Sequence, residues 1–127
     1  MSTNLTDSIV ITAKSTYLAQ QSEPNAARFV FGYTITIENQ GSTTSQLLTR
    51  HWLITDANGG VQEVHGDGVI GEQPLLPPGG SHTYSSGAVL KTPVGTMEGT
   101  YGMRTSEGET FEARIPVFRL ANPEVLN

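Results

Sequence analysis

A chain of 127 residues without cysteine is one domain's worth of sequence, enough for a single core without staples, and it excludes thiolate metal centres and a disulfide scaffold. Twelve acidic against seven basic residues give a net charge of −5, and Arg28, Arg50, Arg104, Arg114 and Arg119 are scattered, so the basic footprint of a nucleic-acid binder is missing. No apolar run approaches the roughly 20 residues of a membrane span, and Met1 to Asp7 has neither the charge nor the apolar stretch of a leader, which predicts a cytoplasmic chain without membrane insertion.

Period-two alternation of apolar and polar residues recurs along the chain, and helical spacing does not. A first strand places Ile9, Ile11, Ala13 and Tyr17 on one face, and a polar connection containing Pro24 runs from Gln20 to Arg28. The strongest alternation follows, with Phe29, Phe31, Tyr33, Ile35 and Ile37 against Val30, Gly32, Thr34, Thr36 and Glu38. Asn39 to Ser42 has turn chemistry. The third strand, about Gln46 to Asp56, is read with Leu48, Trp52 and Ile54 on one face and Leu47, His51 and Leu53 on the other. Asn58-Gly59-Gly60 is a tight hairpin turn, returning into a short strand from Val61 to His65.

Beyond it, strands are predicted over about Ser81 to Ser86, Gly95 to Arg104 and Thr110 to Leu120. In the second of these Gly99 marks a bulge or a close backbone approach. In the third, Phe111, Ala113, Ile115 and Val117 share a face, and Pro116, which has no amide to donate, belongs at an edge, a strand end or a bulge. Ser106 to Glu109 forms the last hairpin, and Asn122 to Asn127 is a loose tail. About seven antiparallel strands around one tryptophan predict an all-β immunoglobulin-like sandwich, with a closed barrel as the competing architecture. Trp52 is placed at the centre of its core, and Tyr84 as a packed ring whose hydroxyl bonds backbone.

Between the hairpin and the later strands lies Gly66-Asp67-Gly68-Val69-Ile70-Gly71, whose spacing copies a phosphate-cradling glycine loop. That chemistry requires a helix opening at the third glycine, and the following Glu72 to Gly80 holds three prolines and two glycines, which deny it one. Two readings remain beside a helix-free anion nest. In one, Gly66, Gly68 and Gly71 adopt dihedrals barred to other residues and carry the chain from one sheet to the other. In the other, the segment is an interaction loop on a rigid scaffold, its partner-binding residues being His65, Gly66, Asp67, Gly68, Gly71, Glu72 and Gln73.

The remaining candidates for chemistry are weak. His51, His65 and His82, with Asp56, Asp67 and Glu72 as oxygen donors, are dispersed and share no short ligand spacing, so no metal or cofactor is assigned and His51 is read as a hydrogen-bonded structural residue. Ser81 and His82 are adjacent on a strand and point to opposite faces, and no Gly-x-Ser-x-Gly elbow occurs, so no enzyme is expected.

The segment from Val64 to Gly87, with Leu48 to Asp56 before it and Gly95 to Met103 after it, closely resembles the signature of the ApaG family. The similarity covers nearly the whole chain and implies a free-standing bacterial member, a single ApaG domain over residues 1–127 with a fibronectin type III-like sandwich. It further implies an association with cobalt resistance and magnesium efflux, and a domain that serves elsewhere as a protein-binding part. The expectation is a non-enzymatic binding or regulatory module with a protein partner of unknown identity, acting as a monomer or weak homodimer. A direct divalent-cation binder, or a phosphate or nucleotide sensor or enzyme using Gly66 to Gly71, is the alternative.

Overall fold

The protein is described by a computed structural model over residues 5–125. One helical turn, α1 (Leu5–Ser8), precedes β1 (Ile9–Tyr17), and two short 3-10 turns lead into β2 (Phe29–Asn39). Then come β3 (Ser45–Asp56), β4 (Val61–Asp67), the two-residue β5 (Leu75–Leu76), β6 (Ser81–Leu90), β7 (Val94–Thr105) and β8 (Thr110–Ala121). All pairings are antiparallel: β1-β2-β6 form one sheet, and β4-β3-β7-β8 the other, with β5 pairing the start of β3. This is the expected all-β sandwich, with β5 added to the seven strands anticipated.

The core forms because each sheet turns its apolar residues inward. Phe29, Phe31, Tyr33, Ile35 and Ile37 of β2 meet Leu47, Trp52 and Ile54 of β3 and Met97, Tyr101 and Met103 of β7 in one buried cluster. Trp52 is 3 % exposed and meets Tyr101 and Phe118 edge-on, with ring centroids 6.2 and 5.9 Å away. Gly99 combines both expected roles. The β7–β8 register shifts between Met97 and Gly99, and a Cβ on Gly99 would lie 2.0 Å from the His51 carbonyl oxygen.

Two strand faces depart from strict alternation. The β3–β7 register shifts between Leu47 and Thr49, making Leu48 an extra residue, so Leu47 and Trp52 both face the core although their parity differs. Leu48 is correspondingly half-buried instead of sharing the tryptophan's face. In β8 the shift comes at Pro116, leaving Val117 59 % exposed while Phe118 and Leu120 turn inward. A proline suits a bulge, because the unpaired residue there is not called on for the amide that proline lacks.

The passage between sheets is also displaced from its expected place. β4 and β5 both pair with β3, so the glycine segment stays within one sheet, and the chain crosses at residues 77–80. Asn39 anchors that crossing. Fully buried, it donates from Nδ2 to the carbonyls of Thr43 and Leu76, both at 2.9 Å, while its backbone exchanges hydrogen bonds with Gly79 and Gly80. The expected loose tail is ordered over 122–125, where Asn122 is buried and Pro123–Val125 form a 3-10 turn; residues 126–127, like 1–4, lie outside the described range.

Trp52→Ala should lower unfolding free energy by about 3 to 5 kcal/mol through the cavity it leaves, measured by urea denaturation. Gly99→Ala should cost about 1 to 3 kcal/mol, because its methyl group is driven against the β3 backbone; a neutral melting temperature would show that β3 and β7 are not so closely apposed.

Candidate functional site

The residues proposed for partner binding divide into three structural roles. His65 and Asp67 belong to β4 and are exposed on its outward face. Gly66 lies between them facing the other way, in register with Arg50 of β3, and a Cβ there would sit 2.6 Å from the Arg50 guanidinium. That guanidinium donates from one nitrogen to the carbonyls of Asp67 and Gly68, each at 3.0 Å. Both Gly66 and Asp67 are therefore strand residues, two beyond the expected end of β4.

The rest of the segment is a braced turn. The Gly68 amide donates to the Leu48 carbonyl at 2.8 Å, and Gln73 Nε2 reaches the same oxygen at 2.9 Å. Val69 and Glu72 exchange backbone bonds of 2.8 and 3.0 Å around Ile70 and Gly71, whose φ values are +48° and +75°. Positive φ at both central residues is the type I′ hairpin turn, which asparagine and glycine fill best. With the amides of Gly68, Val69 and Glu72 committed within the protein, those groups of the glycine segment are not free to cradle a phosphate. No helix follows Gly71, in keeping with the prolines.

Val69 is fully buried and pins the turn to the core, whereas Ile70 is 62 % exposed at the tip and Leu75 is 63 % exposed beyond it. Left-handed backbone at a β-branched residue is an outlier, costing roughly 1 to 2 kcal/mol. Ile70 is the residue that pattern reading missed, since nothing in an alternating pattern signals φ.

On the outward face of the same strand, the structure gathers two histidines that are distant in sequence. His51 and His65 are direct register partners across β3 and β4, with ring centroids 4.1 Å apart and planes 9° from parallel. Oε2 of Glu63 lies 2.6 Å from His51 Nε2 and 3.2 Å from His65 Nε2. Hydrogen bonding from His51, then from His65, lowers the Glu63 carboxyl below its ordinary range. The expected hydrogen bond of His51 is present, and the expected dispersal of the histidines is not: His82 alone stands apart, on β6. The missed residue is Glu63. A signal was available, because His51 and His65 are each seven residues from Asn58, the centre of the predicted hairpin.

Inside the sandwich the tyrosines are structural. The Tyr84 hydroxyl bonds that of Tyr101, where a backbone partner was expected. Burial pushes the Tyr84 phenol up to about 12, against a lowering from the Tyr101 hydrogen bond, and burial raises Tyr101 further. Both phenols thus keep their protons in the folded protein where the unfolded chain, at its ordinary 10.0, would release them. Their contribution is fully present below pH 10.0 and is lost as pH rises towards 12.

Comparison with known proteins follows the same fold. A model of the ApaG domain matches residues 19–105. The chain is similar to Protein ApaG of Thiobacillus denitrificans, 59 % identical over 119 residues and covering 94 % of each sequence. It is 60 % identical over 111 residues to Protein ApaG of Pseudomonas aeruginosa strain LESB58, covering 87 % of this chain and 88 % of the relative. Among solved structures, the putative ApaA protein from Bordetella pertussis superimposes with a TM-score of 0.89 at 45 % identity, over 92 % of this chain and 95 % of that one. A structural-genomics target solved by X-ray gives 0.91 at 51 % identity, over 97 % and 93 %. Among the described residues no helix is long and apolar enough to cross a membrane.

Alkaline unfolding should set in above pH 10.0, and Tyr101→Phe should make its dependence on pH shallower. Far-UV circular dichroism during a base titration checks this, and an unchanged slope would show that the buried phenols carry none of it.

Proposed function

The chain belongs to the ApaG family, and on that premise we propose that it is a small cytoplasmic, non-enzymatic module that binds a protein partner through the Val69–Glu72 turn and the adjoining open edge of β4. The observation that carries this reading is Ile70. The fold holds a β-branched side chain in left-handed backbone and leaves it exposed at the tip of a turn, where asparagine would relieve the backbone and suit the solvent better. A stability cost retained at an exposed apolar residue is accounted for by a contact made outside the chain.

Three further features support the surface. β4 is an edge strand, so its outer side offers unpaired backbone for a partner strand. The turn is rigid, because Val69 is buried and Leu48, Arg50 and Gln73 brace the backbone around it, so little ordering is required on binding. The net charge of −5 favours a protein over a nucleic acid. The chain acts as a monomer or weak homodimer in this reading, and its link to cobalt and magnesium handling rests on the family resemblance, through regulation instead of transport.

Ile70→Asn separates stability from binding. The variant should be more stable than the parent by about 1 kcal/mol, measured by thermal denaturation. It should retain a partner captured at native expression about tenfold less well, the loss expected of an anchor worth ~1.4 kcal/mol. A variant that is less stable, or that captures the same stoichiometric partner equally, would overturn the reading.

A further inference from the structure

We propose that His51, Glu63 and His65 form a binding site for a first-row transition-metal dication of the zinc, cobalt or nickel kind, on the outward face of β3 and β4. The site is separate from the Val69–Glu72 turn, shares β4 with the proposed partner edge, and does not depend on a partner being bound there. Its three donor atoms already lie within 4.8 Å of one another. Donors held about 2.0 to 2.2 Å from such an ion sit roughly 2.8 to 3.1 Å apart in octahedral and roughly 3.3 to 3.6 Å apart in tetrahedral geometry. The Glu63 oxygen, 2.6 and 3.2 Å from the two imidazole nitrogens, must move only a few tenths of an ångström from the closer one to meet the octahedral spacing.

The scaffold fixes the donors well. His51 and His65 are opposite each other on a continuous ladder, and Glu63 stands two residues from His65 on the same face of the strand. Ligands carried by a sheet are better positioned than ligands on loops. The site is also open: the side chains of His51, Glu63 and His65 are 32 %, 54 % and 68 % exposed, leaving further coordination positions to water. A depression of about 420 Å³ borders the two histidines, and Asp67 and Glu112 lie on its wall. In the register these two acids occupy the row next to His65 and His51, adding negative charge that favours a cation; Arg50, also on that wall but held by the Asp67 and Gly68 carbonyls, and Arg114 at the end of the histidine row oppose it.

The donor set chooses among metals. Two imidazoles and one carboxylate suit zinc, cobalt and nickel, whereas magnesium is held by oxygens and keeps its waters. The competing account is a carboxylate that merely accepts hydrogen bonds from two rings.

The purified full-length chain, stripped with chelator, is titrated with Co²⁺ while its visible d–d absorption is followed, and with Zn²⁺ by calorimetry, with Mg²⁺ as the contrast. The expected result is a single equivalent of Co²⁺ or Zn²⁺ bound at about micromolar affinity, with Mg²⁺ failing to compete. Affinity should fall about a hundredfold or more in His65→Ala and His51→Ala, and about tenfold in Glu63→Gln, while His82→Gln should match the parent. Circular dichroism of each variant separates loss of binding from loss of fold, and His65, being exposed, supplies the variant least able to unfold the protein. Absence of saturable Co²⁺ and Zn²⁺ binding, or binding unchanged in a folded His65→Ala, would overturn the site and leave the hydrogen-bonded carboxylate as the explanation.

Discussion

The rest of the structure depends on the extra residue at Leu48. A bulge in β3 breaks the ladder with β7 for one residue, and the break has consequences on both faces of the sheet. Inward, it lets Leu47 and Trp52 enter the same core despite opposite parity. Outward, it sets Thr49, His51 and Leu53 on the face away from that core, where His51 meets His65. The Leu48 carbonyl accepts from the Gly68 amide and from the Gln73 side chain, so the same irregularity fastens the glycine segment to its neighbour. One residue thus decides where the tryptophan packs, where the histidine points and how the turn is held.

Bulges also mark the limit of what could be read from the chain. Alternation located the strands because a half-buried strand must repeat every two residues, and in β2, where alternation runs unbroken through Phe29 to Ile37, the buried face was legible residue by residue. It failed at Leu47 and Leu48, on the near side of the first bulge, and beyond Pro116, because an inserted residue reverses parity without changing composition. Pro116 at least announced an irregularity through its missing amide, and Gly99 through its missing side chain. Leu48 announced nothing. Strand count and the single tryptophan favoured the sandwich over a barrel, and the resemblance to a known family agreed with that choice.

The glycine segment was legible in what it is not. Prolines after Gly71 precluded a helical anion site, and the backbone donors of Gly68, Val69 and Glu72 are spent inside the protein. Its positive roles were hidden because each depends on a distant partner. Gly66 is small because the Arg50 guanidinium lies across it, and Gly68 turns because the Glu72 carbonyl leaves no room for a Cβ. The crossing between sheets falls instead to residues 77–80, where buried Asn39 satisfies backbone groups that the turn would otherwise leave unpaired. A buried residue with five hydrogen bonds, two donated by its side-chain nitrogen, one accepted by its side-chain oxygen from the Gly41 amide and two on its backbone, reads in sequence as an ordinary turn asparagine.

The histidine pair needs an explanation that folding energy does not supply. Two rings stacked at 4.1 Å repel if both are charged, and a single carboxylate oxygen serves them both. The hydrogen bonds that lower Glu63 act on a side chain more than half exposed, where screening leaves ion pairs with little net effect on stability. Nor does the site help the core, whose apolar residues lie on the opposite face of β3. A sheet has many ways to cover its outer face with soluble residues, and bringing two imidazoles and a carboxylate to one point uses pairing register that solubility does not demand. What that convergence does provide is three ligand atoms for a metal, the imidazole nitrogens once their protons move to the other ring nitrogen, presented to solvent on strands that β3's central place in the ladder keeps rigid.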